Sequence, residues 1–85
     1  YALLTHLVAN ATGLSVGDLI ISIGDAHIYT NHLDGIKEQL TRAPKELPTL
    51  KLERKIGTMP WEFQCKDILI ENYKCDPKIK FKLAV

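Results

Sequence analysis

The chain has 85 residues, 46% of them hydrophobic and 25% charged, with a formal net charge of +1. These values describe one small globular domain or part of a larger one, and they exclude a disordered tail; the near-neutral balance argues against a general nucleic-acid binder, which carries a basic excess on one face. A chain this short hides only about 60–65% of its unfolded surface, so its own core supplies little stability.

The first segment, Tyr1-Ala2-Leu3-Leu4-Thr5-His6-Leu7-Val8-Ala9, begins inside an apolar pattern with no N-cap residue before it. Periodicity predicts a helix over 1–12, apolar almost all round and therefore built to be buried on several sides. Gly13 suits the left-handed position after its last turn. So many packing partners exceed what 85 residues supply, and the chain is expected to be the C-terminal part of a larger protein.

After the turn chemistry of Ser15-Val16-Gly17-Asp18, the β-branched run Leu19-Ile20-Ile21-Ser22-Ile23 predicts a strand that continues into Gly24-Asp25-Ala26-His27-Ile28-Tyr29. Asp25, His27 and Tyr29 alternate, and alternate side chains of an extended chain share a face at roughly 6–7 Å spacing. Two readings stand for His27 and Tyr29. They present an imidazole and a phenol side by side to grip a sugar or another hydroxyl group, or they are locally satisfied polar groups on a half-buried strand.

Thr30 or Asn31 is expected to cap a second helix, about 32–42, with Leu33, Ile36 and Leu40 as its apolar stripe and Glu38–Arg42 as an i,i+4 ion pair. Gly35 weakens that helix. Pro44 and Pro48 bracket a connection to an alternating strand over 49–54 with one wet face. Residues 57–63 read as a loop in which Pro60-Trp61 starts a short turn, and Ile68-Leu69-Ile70 as another strand. The end, 78–83, alternates lysine with apolar residues, the pattern of an edge strand or of a tail lying over a hydrophobic surface.

No nucleophile constellation stands out. Cys65 and Cys75 read as free thiols in a reducing cytosol, with a disulfide left open by their ten-residue spacing. Two readings stand for Cys75, a thiol whose pKa the neighbouring Lys74 lowers or a bystander; no general base is placed by sequence, and both cysteines are expected to be bystanders. His6, His27 and His32 have no recognisable metal-ligand spacing; His6 reads as a hydrogen-bonded core histidine and His32 as a neutral, structural one. Lys74, Lys78, Lys80 and Lys82 read as a solvated edge or a weak anion site. No secretory leader is recognisable, and no apolar run approaches the ~20 residues of a bilayer span.

The first helix, Thr12-Gly13-Leu14, the hexapeptide with Asn31-His32, Leu40-Thr41-Arg42-Ala43-Pro44 with Leu47-Pro48, Ile70-Glu71 with Tyr73, and Ile79-Lys80 through Leu83-Ala84-Val85 together resemble the thymidylate synthase family. The likeness spans essentially the whole chain, which resembles the C-terminal third of a single-domain enzyme. It departs from the family at Tyr73-Lys74-Cys75-Asp76-Pro77, normally richer in proline and histidine, and at Ala43, normally glutamate.

The resemblance implies a partial α+β fold, with helices packed on a large twisted mixed sheet, in a cytoplasmic homodimer. It implies reductive methylation of deoxyuridylate (dUMP) to thymidylate (dTMP), with 5,10-methylenetetrahydrofolate as co-substrate and no metal. His27 and Tyr29 would bind the deoxyribose 3′-hydroxyl. Tyr29 would also border the folate, and Leu83, Ala84 and Val85 would form a lid over it. The implied partners are dUMP, folate, the remainder of the enzyme and the second subunit, with neither DNA nor a membrane among them. The family's nucleophilic cysteine lies upstream, so these residues alone are expected to be inactive. Two alternatives are a pyrimidine nucleotide hydroxymethylase of the same superfamily and a non-catalytic fragment that complements a partner chain.

Overall fold

The computed structural model describes residues 1–83. Helix α1 spans Ala2–Thr12 and ends as the sequence predicts: Gly13 takes φ 70° and donates its N–H to the Ala9 carbonyl. A single 3-10 turn, Thr30–His32, leads into α2, Leu33–Thr41. Strands β1 (Thr49–Leu52) and β2 (Ile68–Glu71) pair antiparallel, Leu50 opposite Ile70 and Leu52 opposite Ile68. Two further 3-10 turns, Pro60–Glu62 and Cys65–Asp67, lie between them. The fold class is the expected α+β, and the sheet within the described residues has two strands.

The pairing puts Leu50, Leu52, Ile68 and Ile70 on one face of the ribbon, because side chains alternate. With Ala2, Leu3, His6 and Pro48, three of them (Leu50, Ile68 and Ile70) line an apolar groove of about 230 Å³. The C-terminal half of α1 is fastened to the 55–58 loop. Asn10 donates from Nδ2 to the carbonyls of Lys55 (3.2 Å) and Thr58 (3.4 Å), and its own carbonyl accepts from the Gly57 N–H at 2.8 Å.

Asp67 locks the 54–67 excursion. Its Oδ2 accepts from Arg54 Nε at 2.8 Å and from the Gln64 backbone N–H at 2.9 Å, while its carbonyl accepts from the Glu53 N–H. The Gln64 hydrogen bond, then that from Arg54, hold the carboxyl below its ordinary value, against desolvation acting the other way.

Three expectations are corrected. Residues 19–29 form no strand, because no strand lies alongside to complete a ladder; Ile20 stays 86% exposed. Neither Thr30 nor Asn31 caps α2, whose entry follows the 3-10 turn without a side-chain cap. His6 is half-buried in the apolar groove with no side-chain hydrogen bond among the described residues. Lys74 Nζ pairs with Glu46 Oε2 at 3.1 Å, in keeping with Cys75 as a bystander.

The expected Glu38–Arg42 pair forms at 2.6 Å, and Arg42 Nη1 also donates to the Pro77 carbonyl at 2.6 Å. With Lys45–Asp76 at 3.0 Å and Lys74–Glu46, these contacts bind residues 74–77 to the connection after α2. From there the tail runs back along α2 towards its N-terminus as a covering segment rather than a strand.

No hydrophobic side chain is buried among the described residues. The accessible surface is 7717 Å², against about 5,100 Å² for a compact monomer of this mass. The radius of gyration is 17.1 Å, against about 12 Å for a compact domain of this length. These helices and strands are a layer whose apolar faces require a covering body.

Candidate functional site

The extended chain before the 3-10 turn carries Asp25, His27 and Tyr29, and the turn begins directly after Tyr29, whose carbonyl accepts from the His32 N–H at 2.9 Å. His27 Nδ1 lies 3.1 Å from the Asp25 carbonyl and 3.4 Å from Asp25 Oδ1. Both partners only accept, so Nδ1 carries a proton, and in the neutral ring Nε2 is left as a free acceptor. The Tyr29 ring stands edge-on to His27, with centroids 5.4 Å apart and planes at 80°. Thus the two rings that the alternation predicts to be neighbours are neighbours, even though the ladder expected around them is absent.

Tyr29 is clasped on its other side by His32, at 5.4 Å and 86°, and His32 in turn meets Phe81 at 4.9 Å and 62°. Four rings therefore form a continuous edge-to-face series, His27–Tyr29–His32–Phe81, a preferred arrangement for aromatic quadrupoles. His32 Nε2 lies 2.6 Å from the Lys82 carbonyl. A carbonyl only accepts, so Nε2 is the protonated nitrogen.

His32 is structural, as expected, and its contacts tie Tyr29 to the tail. Its three-residue spacing from Tyr29 was the available signal, since one 3-10 turn brings i and i+3 together.

The described site is open. His27 and Tyr29 are about half exposed. They belong neither to the apolar groove nor to a shallow depression of about 380 Å³ lined by Arg42, Cys75, Asp76 and Phe81 among others. Leu83, the first of the three expected lid residues, is exposed beyond Lys82, and Ala84 and Val85 lie outside the described residues. Cys65 and Cys75 are both free and exposed. Among the described residues no cluster of three or more His, Cys, Asp or Glu side chains is placed to hold a metal, and no helix is long and apolar enough to cross a membrane.

Chemically, the two neighbouring rings carry complementary groups, an imidazole nitrogen that accepts and a phenol that donates.

The family model for thymidylate synthase matches residues 1–85. Among curated proteins, a thymidylate synthase from Herpesvirus ateles is 47% identical over 85 residues, covering all of this chain and 29% of that protein. One from Listeria monocytogenes is 48% identical, again over the whole chain and 27% of its own length. Among solved structures, thermostable thymidylate synthase A from Bacillus subtilis superposes with a TM-score of 0.90 at 35% identity, covering the whole chain and 30% of that structure. The chain thus spans less than a third of the length of the relatives it matches.

Proposed function

The chain belongs to the thymidylate synthase family along its whole length, and from that premise we propose that it is the C-terminal segment of an enzyme that converts dUMP to dTMP, supplying the deoxyribose grip and the tail over the folate site. The observation that carries this reading is the pair of adjacent, solvent-facing rings of His27 and Tyr29, with the His27 Nδ1 already engaged by Asp25. That engagement leaves Nε2 of the neutral ring as the acceptor. With the phenol as donor, the pair fixes one hydroxyl of the sugar, and fixing the sugar places the attached base relative to a nucleophile supplied from the upstream part of the enzyme.

The folate fits the same neighbourhood, since Tyr29 and the tail are joined through His32 and Phe81 in one cluster. When bound, 5,10-methylenetetrahydrofolate supplies the one-carbon unit and the reducing equivalent. The chain's own contribution is to border that ligand with Tyr29 and to exclude water with the segment Leu83–Val85, a closure step of the kind that completes many catalytic sites. A cytoplasmic homodimer is the proposed setting.

The test is dUMP affinity of the full-length enzyme with His27→Ala, Tyr29→Phe and both. Each lost hydrogen bond costs about 0.5–1.5 kcal/mol, or roughly two- to twelvefold in affinity. The penalty disappears when the ligand is the 2′,3′-dideoxy analogue, which has no hydroxyl to grip. A double variant that binds dUMP as tightly as the parent sinks the sugar-binding role.

A further inference from the structure

We propose that His32 is a positioning residue that latches the tail to the sugar-gripping pair, so that the grip and the covering segment share one contact. Three observations converge on it. His32 Nε2 donates to the Lys82 carbonyl at 2.6 Å across fifty residues of sequence. Its ring fills the space between Tyr29 on one side and Phe81 on the other, at 5.4 and 4.9 Å. Helix α2 leaves a notch for the tail at Gly35, where a Cβ would stand 2.5 Å from Phe81 Cε1, 2.9 Å from Phe81 Cζ and 3.2 Å from Ile79 Cγ2.

The geometry gives His32 two separable functions. One is a directional bond that registers the backbone of the tail at Lys82. The other is a packed ring that holds Tyr29 edge-on to His27, the pair to which the sugar-binding reading assigns one hydroxyl. A displaced tail removes Phe81 from the far side of His32 and loosens the series from its outer end. The purpose assigned to the latch rests on the sugar-binding reading; the latch itself does not.

The Lys82 carbonyl offers a direct assay. A lysine-specific endoprotease must seat that carbonyl in its own oxyanion hole to cut the Lys82–Leu83 bond, and His32 already occupies it. In ligand-free full-length protein, His32→Ala is expected to accelerate cleavage after Lys82 by roughly two- to twelvefold, the range of one lost hydrogen bond. Cleavage after Lys37, within α2, is expected to stay unchanged. His32→Gln, which carries an N–H at about the reach of Nε2, is expected to restore most of the protection. Phe81→Ala loosens the same site from the tail's side and serves if His32→Ala does not fold.

Acceleration after Lys82, with or without its tail neighbours Lys78 and Lys80 but not after Lys37, and rescued by glutamine, supports the latch. Equal acceleration after Lys37 and Lys82 makes His32 a mere prop of α2 and overturns it, as does no acceleration at all. Tyr29→Phe separates this inference from the proposed function. It keeps the ring and leaves the tail protected, whereas its effect on dUMP affinity bears on sugar binding alone.

Discussion

Replacing Gly35 with alanine sets helix propensity against tail docking. Gly35 occupies the third position of α2, so alanine there gains up to about 1 kcal/mol of helix stability. Its Cβ, however, would sit 2.5 Å from the Phe81 ring, where carbon pairs settle at about 3.5–4.0 Å, so the ring must retreat by about 1 Å or more. Phe81 is 41% exposed and has room to swing outward without disturbing the helix. The retreat forfeits the His32–Phe81 contact, about 0.5–1.5 kcal/mol, and strains the bond to Lys82, worth a similar amount. These losses fall on a segment whose release does not unfold the rest, whereas the gain falls on the helix. The urea midpoint of the full-length protein should therefore hold or rise slightly while cleavage after Lys82 accelerates several-fold. A higher midpoint with tail protection intact would refute the notch.

Two further outcomes follow from the same geometry. Because Asp67 titrates below its unfolded value of 3.8, the folded state holds fewer protons than the unfolded chain as pH falls towards that value. Its stabilisation is thus present above about pH 4 and lost as pH falls through the folded value. Urea titrations from pH 7 to 3 should show a smaller acid-induced loss in Asp67→Asn, which starts out less stable, and equal losses in both proteins would contradict this. Residues 1–85 made alone should show no cooperative urea transition by circular dichroism, since no hydrophobic side chain is buried within the described residues; a sharp transition would show that the segment stands by itself.

Local signals were legible in the sequence. The left-handed Gly13, the Glu38–Arg42 pair, the short turn at Pro60 and the two paired strands all depend on residues a few positions apart or on simple alternation. The strand at 19–29 failed for a physical reason. A β-branched run reports that side chains suit a pleated surface, but a strand exists only when another backbone completes its hydrogen bonds. Gly35 misled in the other direction. It reads as a flaw in a helix, whereas its missing Cβ is the space into which Phe81 packs, forty-six residues later.

The site divides along the same line. Alternation sufficed to place His27 beside Tyr29, but His32 acquires its role through Phe81 and Lys82, which no local pattern connects to it. The openness of the pair and the absence of a core then have one cause. Hydrogen bonds to a hydroxyl exchange with water at little net gain on an exposed surface, and they discriminate strongly only where water is excluded. The described residues exclude it from neither the rings nor the apolar faces. A body that packs on Leu50, Ile68 and Ile70 and pairs with the run from Leu19 to Ile23 would cover the core and enclose the rings together. Folding of this segment and the proposed sugar recognition are therefore expected to appear in a single step, when that body docks.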